Sequence, residues 1–358
     1  MNAPPNSIEL AECLRYADSA QAETLLADWP VETEQPVLVV AQGFEERSLG
    51  VLDRLAAMKL RVPAVIIGRY AKGAELNDRY RKQFEALAEE LAPGAWTVIE
   101  NADNGDWVRE ALSRIGGQRV AMDITGLSSR GLFGALDEIE SAPNDVTIMY
   151  SEAAQYRPFR TDWEKLRKKL PPDYTSHDQL AHLADEGEWL YSGDRFHVEL
   201  IRGHEGYDVA GTSALVAFLP FKAARLAAVM NHAEYSQYLF IAGRPRLPEN
   251  LWRLEALREF NRAVTKEWST VEMSTFDYRD AVRQLAGLLF SSDSLSTRSD
   301  IHVAPMGSKL QTMACWAVSR ITRALTMVTS VPNSYYPKKF SDGIGESWFF
   351  PFARPTLT

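Results

Sequence analysis

Short apolar runs alternate with amphipathic segments along most of this chain. Residues 37–41 follow Pro36 and precede Gly43, with β-branched side chains on both faces, the pattern of a strand buried inside a parallel sheet. The spacing of Leu49, Leu52, Leu55 and Met58 predicts a helix over 46–59, and 64–68 reads as the next strand. The alternation continues with a charged helix at 75–91, a strand at 96–100, a helix at 106–115, a strand at 120–124, a helix at 129–140 and a strand at 146–150. This order predicts a doubly wound parallel sheet, with right-handed crossovers placing helices on both faces.

The second half repeats the order. Strands are expected at 214–219, 238–243, 270–273, 301–304 and 324–329, with helices at 223–231, 251–266, 277–288 and 310–323. The punctuation recurs too: Ile66-Ile67-Gly68-Arg69 lines up with Ile241-Ala242-Gly243-Arg244 at the ends of the second strands. Ser128-Ser129-Arg130 lines up with Gly307-Ser308-Lys309 after the fourth strands, and Ser151, Tyr156 and Pro158 with Ser330, Tyr335 and Pro337 after the fifth. Gly187-Glu188 and Gly345-Glu346, with Trp189 and Trp348 nearby, form a looser echo. Glycine after a strand is common in unrelated domains, but several matches in chain order favour internal duplication.

The expected fold class is therefore α/β, two tandem Rossmann-like doubly wound parallel sheets related by duplication. Residues 1–35 form an N-terminal helical segment, with a helix at 8–29 burying Leu10, Leu14, Leu25 and Leu26. The first Rossmann-like unit spans 36–158 and the second 212–358. Between them, 159–211 reads as a helical linker and hairpin insert, with a helix at 162–169, a turn at Pro171-Pro172 and alternation over 189–201.

Composition narrows the function classes. The 358 residues are 46% hydrophobic and 24% charged, which excludes a disordered tail or a low-complexity chain. A net charge of -9 argues against a surface that coats duplex DNA, since such binding needs many cations at phosphates. Cys13 and Cys315 are the only cysteines, so neither a disulfide framework nor a cysteine zinc site is expected. Glu9 and Glu12 stand where a secretory signal has basic residues and an apolar run. The apolar stretches 213–220 and 313–331 are too short, or are broken by Arg320 and Arg323, to cross a bilayer. A soluble, cytoplasmic protein without membrane contact is expected.

In an open parallel sheet the ligand crevice lies beyond the carboxyl ends of the strands, between the first and fourth. In the first unit those ends carry Gln42, Gly43, Glu45, Glu46 and Arg47, then Thr125, Gly126, Ser128, Ser129 and Arg130. In the second they carry Lys222 and Arg225, then Gly307, Ser308 and Lys309. After each fourth strand, hydroxyls and glycine precede a basic residue where a helix begins, so backbone N–H groups, the helix dipole and a side-chain cation converge on a point suited to phosphate. Those serines also suit plain helix capping. Neither a Walker A loop nor a Gly-x-Gly-x-x-Gly turn is present, which removes the usual sequence basis for ATP hydrolysis or NAD chemistry, and no cofactor is assigned.

Glu45 and Glu46 are candidate general acids or bases, although a glutamate in a first helical turn also simply favours the dipole. His177 and His182, flanking Asp178, lack metalloprotease spacing, and His302 reads as a core histidine. No nucleophile elbow occurs. Tyr156 and Tyr335 are placed either to stack on a ligand or to anchor the chain leaving the sheet.

The segment Asp-Ile-Thr-Gly-Leu-Ser-Ser-Arg at 123–130, with the strand order, resembles the CRISPR-associated Rossmann fold (CARF) family, whose fourth-strand motif runs from Thr/Ser and Gly to Lys or Arg. Ala-Pro-Met-Gly-Ser-Lys at 304–309 is similar, with Ala and Pro in place of Thr and Gly. The related SAVED domains fuse two such units, and both families sense cyclic oligonucleotides made in antiviral signalling. The resemblance implies that Thr125, Gly126, Ser129, Arg130, Gly307, Ser308 and Lys309 contact a nucleotide-type ligand across a pseudo-two-fold cleft. It also implies a separate protein effector in prokaryotic defence, since no effector domain is recognisable in the sequence. The alternatives are a nucleotide- or nucleoside-processing enzyme using Glu45 or Glu46, and a protein-binding scaffold subunit of a defence complex.

Overall fold

The structure, a computed structural model, describes residues 5–30, 35–71, 74–170, 196–203, 213–265, 268–290, 295, 300–322, 325–333 and 340–355. Pro171-Pro172, His177, His182, Gly187-Glu188, Trp189, Arg323, Tyr335 and Pro337 lie outside the described residues. In chain order come α1 (Pro5–Ser19), β1 (Thr24–Leu25), β2 (Val37–Gln42), α2 (Gly50–Ala57), β3 (Val65–Arg69), α3 (Ala74–Asn77), α4 (Arg81–Leu91) and β4 (Trp96–Glu100). Then follow α5 (Asp106–Ile115), β5 (Val120–Asp123), α6 (Ser129–Ser141), β6 (Val146–Tyr156), α7 (Arg160–Lys169), β7 (Phe196–Arg202) and β8 (Ser213–Phe218). The rest are α8 (Ala223–Met230), β9 (Gln237–Arg244), α9 (Trp252–Thr265), β10 (Ser269–Ser274), α10 (Tyr278–Phe290), β11 (Asp300–Ala304), α11 (Lys309–Ile321), β12 (Leu325–Pro332) and β13 (Ser341–Pro351).

Two compact units result. The amino unit comprises Ala20–Arg157 and Phe340–Arg354, and the carboxy unit Met1–Ser19, Pro158–Lys339 and Pro355–Thr358. The amino unit's sheet runs β1-β13-β6-β5-β2-β3-β4, and the carboxy unit's runs β10-β9-β8-β11-β12-β7. In each, five strands are parallel in the order third, second, first, fourth, fifth. The duplicated α/β architecture read from the apolar runs is therefore present. β2 and β8 lie at the centre and are buried along their whole length, which explains why their sequences lack polar alternation. β3 ends at Arg69 and β9 at Arg244, as the shared Gly-Arg punctuation implies.

Each sheet carries a sixth strand that the alternating pattern does not reveal. β13 runs antiparallel to β6, although it follows β12 in the chain. β7, which follows β6, runs antiparallel to β12. The strand that succeeds each fifth strand in sequence thus completes the other sheet. The alternating segment expected in a hairpin supplies β7 through its described part, and its sheet partner is β12.

The N-terminal helix is shorter than expected. It stops at Ser19, whose hydroxyl donates to the Tyr16 carbonyl and satisfies one of the last-turn acceptors. Leu25 and Leu26 consequently leave the helix, and Leu14 is exposed while Cys13, Tyr16 and Ala17 are buried. Within the carboxy unit α1 packs on α10 and α11, where Asp18 pairs with Arg283 at 2.7 Å and Glu9 accepts from Thr322 at 2.8 Å. The helix expected from Glu46 begins as a 3-10 turn, Glu46–Leu49, before α2.

Candidate functional site

In the amino unit the carboxyl ends of β2, β5 and β6 enclose a buried polar cluster. The Gln42 amide leaves β2 fully buried, donating to the Asn77 carbonyl at 2.7 Å and accepting from Arg69 Nε at 3.2 Å. The loops after β2 and β5 then meet backbone to backbone: a Cβ on Gly126 would stand 2.1 Å from the Ala41 carbonyl oxygen, and one on Gly43 3.1 Å from the Gly126 Cα. Only glycine at 126 permits that approach.

The turn after Gly43 points Arg47 inward. Ser48 Oγ donates to the Glu45 carbonyl at 2.6 Å, tightening the 3-10 turn. Arg47 is 8% exposed, and its guanidinium grips Glu45 with two nitrogens, Nε at 3.0 Å and Nη2 at 3.1 Å. Its Nη1 donates to the Tyr150 hydroxyl at 3.2 Å and to that of Tyr156 at 3.5 Å, and both rings lie within cation–π range. Ser341, at the start of β13, donates to the Glu45 carboxylate. Burial lowers the Arg47 pKa, but Glu45 and then the two tyrosines more than offset this and hold it well above the ordinary value. Burial, with Tyr156 beside it, pushes the Tyr150 phenol well above its usual range, against the pull of Arg47. A buried ion pair is tolerable because both partners have their hydrogen-bonding capacity met.

Asp123 ends β5 within the same cluster. Its Oδ1 accepts from the Thr125 backbone N–H at 2.9 Å and from Thr125 Oγ1 at 2.5 Å. Thr125 Oγ1 in turn accepts from the Ser151 N–H at 2.8 Å, and Ser151 Oγ lies 2.7 Å from Ser347 Oγ. Oδ2 is buried and has no hydrogen-bond partner among the described residues. Burial pushes the carboxyl pKa up to about 7, opposed by the two Thr125 hydrogen bonds and by the charge of Arg47. Sequence reasoning quoted Asp123 only within the motif and did not single it out. The available signal was an acid ending an otherwise apolar, fully buried strand.

Beyond Asp123, Ser128 caps α6, its Oγ accepting from the Gly131 N–H at 3.0 Å. Tyr70, also missed from sequence, accepts from the Ser128 N–H at 2.8 Å and donates to the Gly126 carbonyl at 3.2 Å. Ser129 is half-buried and Arg130 exposed at the first two helical positions.

The carboxy unit builds the matching ends differently. Ser308 caps α11, accepting from the Gln311 N–H at 3.1 Å and donating to the Thr275 carbonyl at 2.6 Å, while Gln311 Oε1 accepts from the Ser308 N–H at 2.9 Å. Gln311 Nε2 also donates to the Ser274 carbonyl at 2.9 Å. Gly307 is exposed, and Lys309 is half-buried at the first helical position. The caps correct the sequence register by one residue: Ser128 corresponds to Ser308, so Lys309 matches Ser129 rather than Arg130. Asp123, the last residue of β5, is matched by Ala304, the last residue of β11, which lies on the corresponding face of its sheet and is fully buried. Lys222 is half-buried ahead of α8, and Arg225 donates to the Ser330 hydroxyl at 3.2 Å and carbonyl at 3.1 Å.

The structure therefore gathers Glu45, Arg47 and Thr125 into one cluster and leaves Glu46 exposed outside it. Tyr156 anchors the chain at the end of β6, its hydroxyl accepting from the Ala153 N–H at 3.0 Å. His302 is a satisfied core residue, with Nδ1 3.0 Å from Tyr235 Oη and Nε2 2.8 Å from Asp300 Oδ2. Among the described residues no group of three or more His, Cys, Asp or Glu side chains is placed to hold a metal ion, and no helix is long and apolar enough to cross a membrane.

Fold and site together define a tandem Rossmann-like α/β protein with a buried, charged polar cluster at the strand ends of one unit and a differently built set of polar contacts in the other. No protein-family model matches the sequence, and no curated protein matches it. Among solved structures, the chain is similar to a type III CRISPR defence DNA nuclease activated by cyclic oligoadenylate, at 12% identity and a TM-score of 0.47, covering 79% of this chain. It spans 64% of that nuclease chain. It is also similar to the cytoplasmic domain of a prokaryotic cation chloride cotransporter, at 10% identity and a TM-score of 0.26, covering 84% of this chain and 96% of that one.

Proposed function

We propose that this protein is a CARF-like nucleotide sensor that binds a cyclic oligonucleotide or other phosphorylated nucleotide at the strand ends of its units and acts with a separate effector in prokaryotic antiviral defence. The carrying observation is the repetition, in two sheets of one strand order, of a fourth strand followed by a serine-capped helix start bearing a cation, Arg130 in one and Lys309 in the other. Helix N-termini with such residues favour anions. The two acids after β2 oppose this less than their sequence suggests, because Glu45 is neutralised by Arg47.

The test is calorimetric titration of the full chain with linear nucleotides and with cyclic di-, tri- and tetranucleotides. One species is expected to bind, and the Arg130→Ala/Lys309→Ala double variant to lose at least tenfold in affinity while unfolding at the same temperature. Unchanged affinity in that variant, or no binding across the panel, overturns the proposal.

A further inference from the structure

Neither unit is finished by its own half of the chain. Divided between β7 and β8, the chain gives an amino half with α1 to α7 and β1 to β7, and a carboxy half with α8 to α11 and β8 to β13. The carboxy unit nevertheless takes three pieces from the amino half. The helix α1 buries Cys13, Tyr16 and Ala17 there, and is tied by Asp18 to Arg283 and by Glu9 to Thr322. Trp163 and Leu166 of α7 pack against Ala256 and Phe260, with Arg167 2.9 Å from Glu255. The strand β7 pairs with β12 from Phe196 to Arg202 and sets Val198 and Leu200 against the unit's core. In return the carboxy half supplies β13, which pairs with β6 from Ser341 to Pro351 and buries Trp348 and Phe350 in the amino unit. A plain tandem repeat has no need of this, since each sixth strand follows a fifth strand in sequence and could fold back to pair with it.

We infer that the two halves of the chain are complementary binding partners, and that the exchanged segments hold them as one particle even when the chain between them is cut. This goes beyond the nucleotide reading and stands without it, because it is drawn from strand pairing and core packing alone. Domains joined only by a linker and a contact face part without unfolding, as transient partners do. Here the halves part only if β13 leaves β6 and β7 leaves β12. Each step breaks a backbone ladder whose N–H and C=O groups then lose their partners, and the first also exposes Phe350, which is fully buried. Separation is therefore an unfolding event rather than an undocking. A nick between β7 and β8 releases neither unit, so activation by shedding one of them is closed to this protein.

The test is to cut the folded full chain at a site-specific protease sequence inserted between residues 206 and 207. The two fragments are expected to co-elute in gel filtration at the mass of the uncut chain, with its circular dichroism, and to separate only in denaturant. Tagged cut protein is then mixed with an excess of untagged, isotope-labelled cut protein, and the labelled fragment retained on the tag is followed by mass spectrometry. Fragments should trade places no faster than the cut protein unfolds, read in parallel by tryptophan fluorescence. Trading more than about tenfold faster than unfolding shows an ordinary contact between halves and overturns the inference. Separation of the fragments in native buffer, or loss of the native circular dichroism on cutting, overturns it too. A second measurement needs no insertion. In the uncut chain, Phe350→Ala should speed amide hydrogen exchange in β6 at least about tenfold more than in β12, although β12 is its nearer neighbour in sequence. An effect on β12 as large as that on β6 overturns the inference.

Discussion

At the end of β5 the amino unit buries Asp123, and at the matching end of β11 the carboxy unit buries Ala304. Near the first stands Arg47, held by Glu45, Tyr150 and Tyr156; in the carboxy unit Arg225 donates to the Ser330 hydroxyl and carbonyl. The helix start is tied by Tyr70 in one unit and by Gln311 and Thr275 in the other. Strand order and central apolar strands are shared, so the apolar layers carry the fold. The polar groups at the strand ends are what differ. Both versions support the same sheet, so the strand order does not depend on which polar groups stand at its ends.

The largest expected effect tests the two arginines. Arg47→Met strands the mostly buried Glu45 carboxylate and should cost about 3–5 kcal/mol, the usual penalty for breaking a buried ion pair from one side. Arg225→Met loses hydrogen bonds to one serine and should cost about 1–2 kcal/mol. Urea unfolding of both variants makes the measurement. Equal costs would mean that the Arg47 cluster is no more built into its unit than Arg225 is into the other.

A pH scan sharpens the contrast next. The folded Asp123 pKa is raised from 3.8 to about 7 by burial, so between roughly pH 4 and pH 7 the native state holds a proton that the unfolded chain has released. Stability from this group is therefore greatest below pH 4, declines as pH rises through that window, and is flat above about pH 7. The full excursion is on the order of 4 kcal/mol. Asp123→Asn should remove that slope, measured as wild-type minus variant unfolding free energy from pH 4 to pH 8. Ala304, at the matching place, contributes no such window to the carboxy unit. A difference that does not vary with pH would show that the carboxyl ionises as it does in the unfolded chain.

Much of the fold was legible because parallel strands buried on both faces must be apolar throughout, as residues 37–41 and 214–219 are. The sixth strands were not, since β13 pairs with β6 over a long separation, Ser347 lying 196 residues from Ser151, and no local pattern encodes a partner so distant. Glu45 and Arg47 were visible individually, but their pairing depends on a 3-10 turn where a regular helix was expected, and on Tyr150, Tyr156 and Ser341 arriving from elsewhere. The slip of one residue between the fourth-strand loops has a similar cause. Matching Ser-Ser-Arg to Gly-Ser-Lys aligns residue types, whereas the helix start is fixed by which hydroxyl accepts the amide three residues on.

The smallest effect concerns those two caps. Ser128 accepts one backbone N–H, so Ser128→Ala should cost about 0.5–1 kcal/mol. Ser308 accepts one, donates to Thr275, and is answered by the Gln311 side chain, so Ser308→Ala should cost about 1–2 kcal/mol. In both units the bond from the partner side chain runs to the backbone N–H of the cap serine, Gln311 Oε1 at Ser308 and Tyr70 Oη at Ser128, and alanine retains that N–H. Ser308→Ala with Gln311→Ala, and Ser128→Ala with Tyr70→Phe, should therefore each add to within about 0.5 kcal/mol in urea unfolding, so the single costs carry the contrast. Equal costs for Ser128→Ala and Ser308→Ala would mean that the bond to the Thr275 carbonyl adds nothing to the hold on the α11 start.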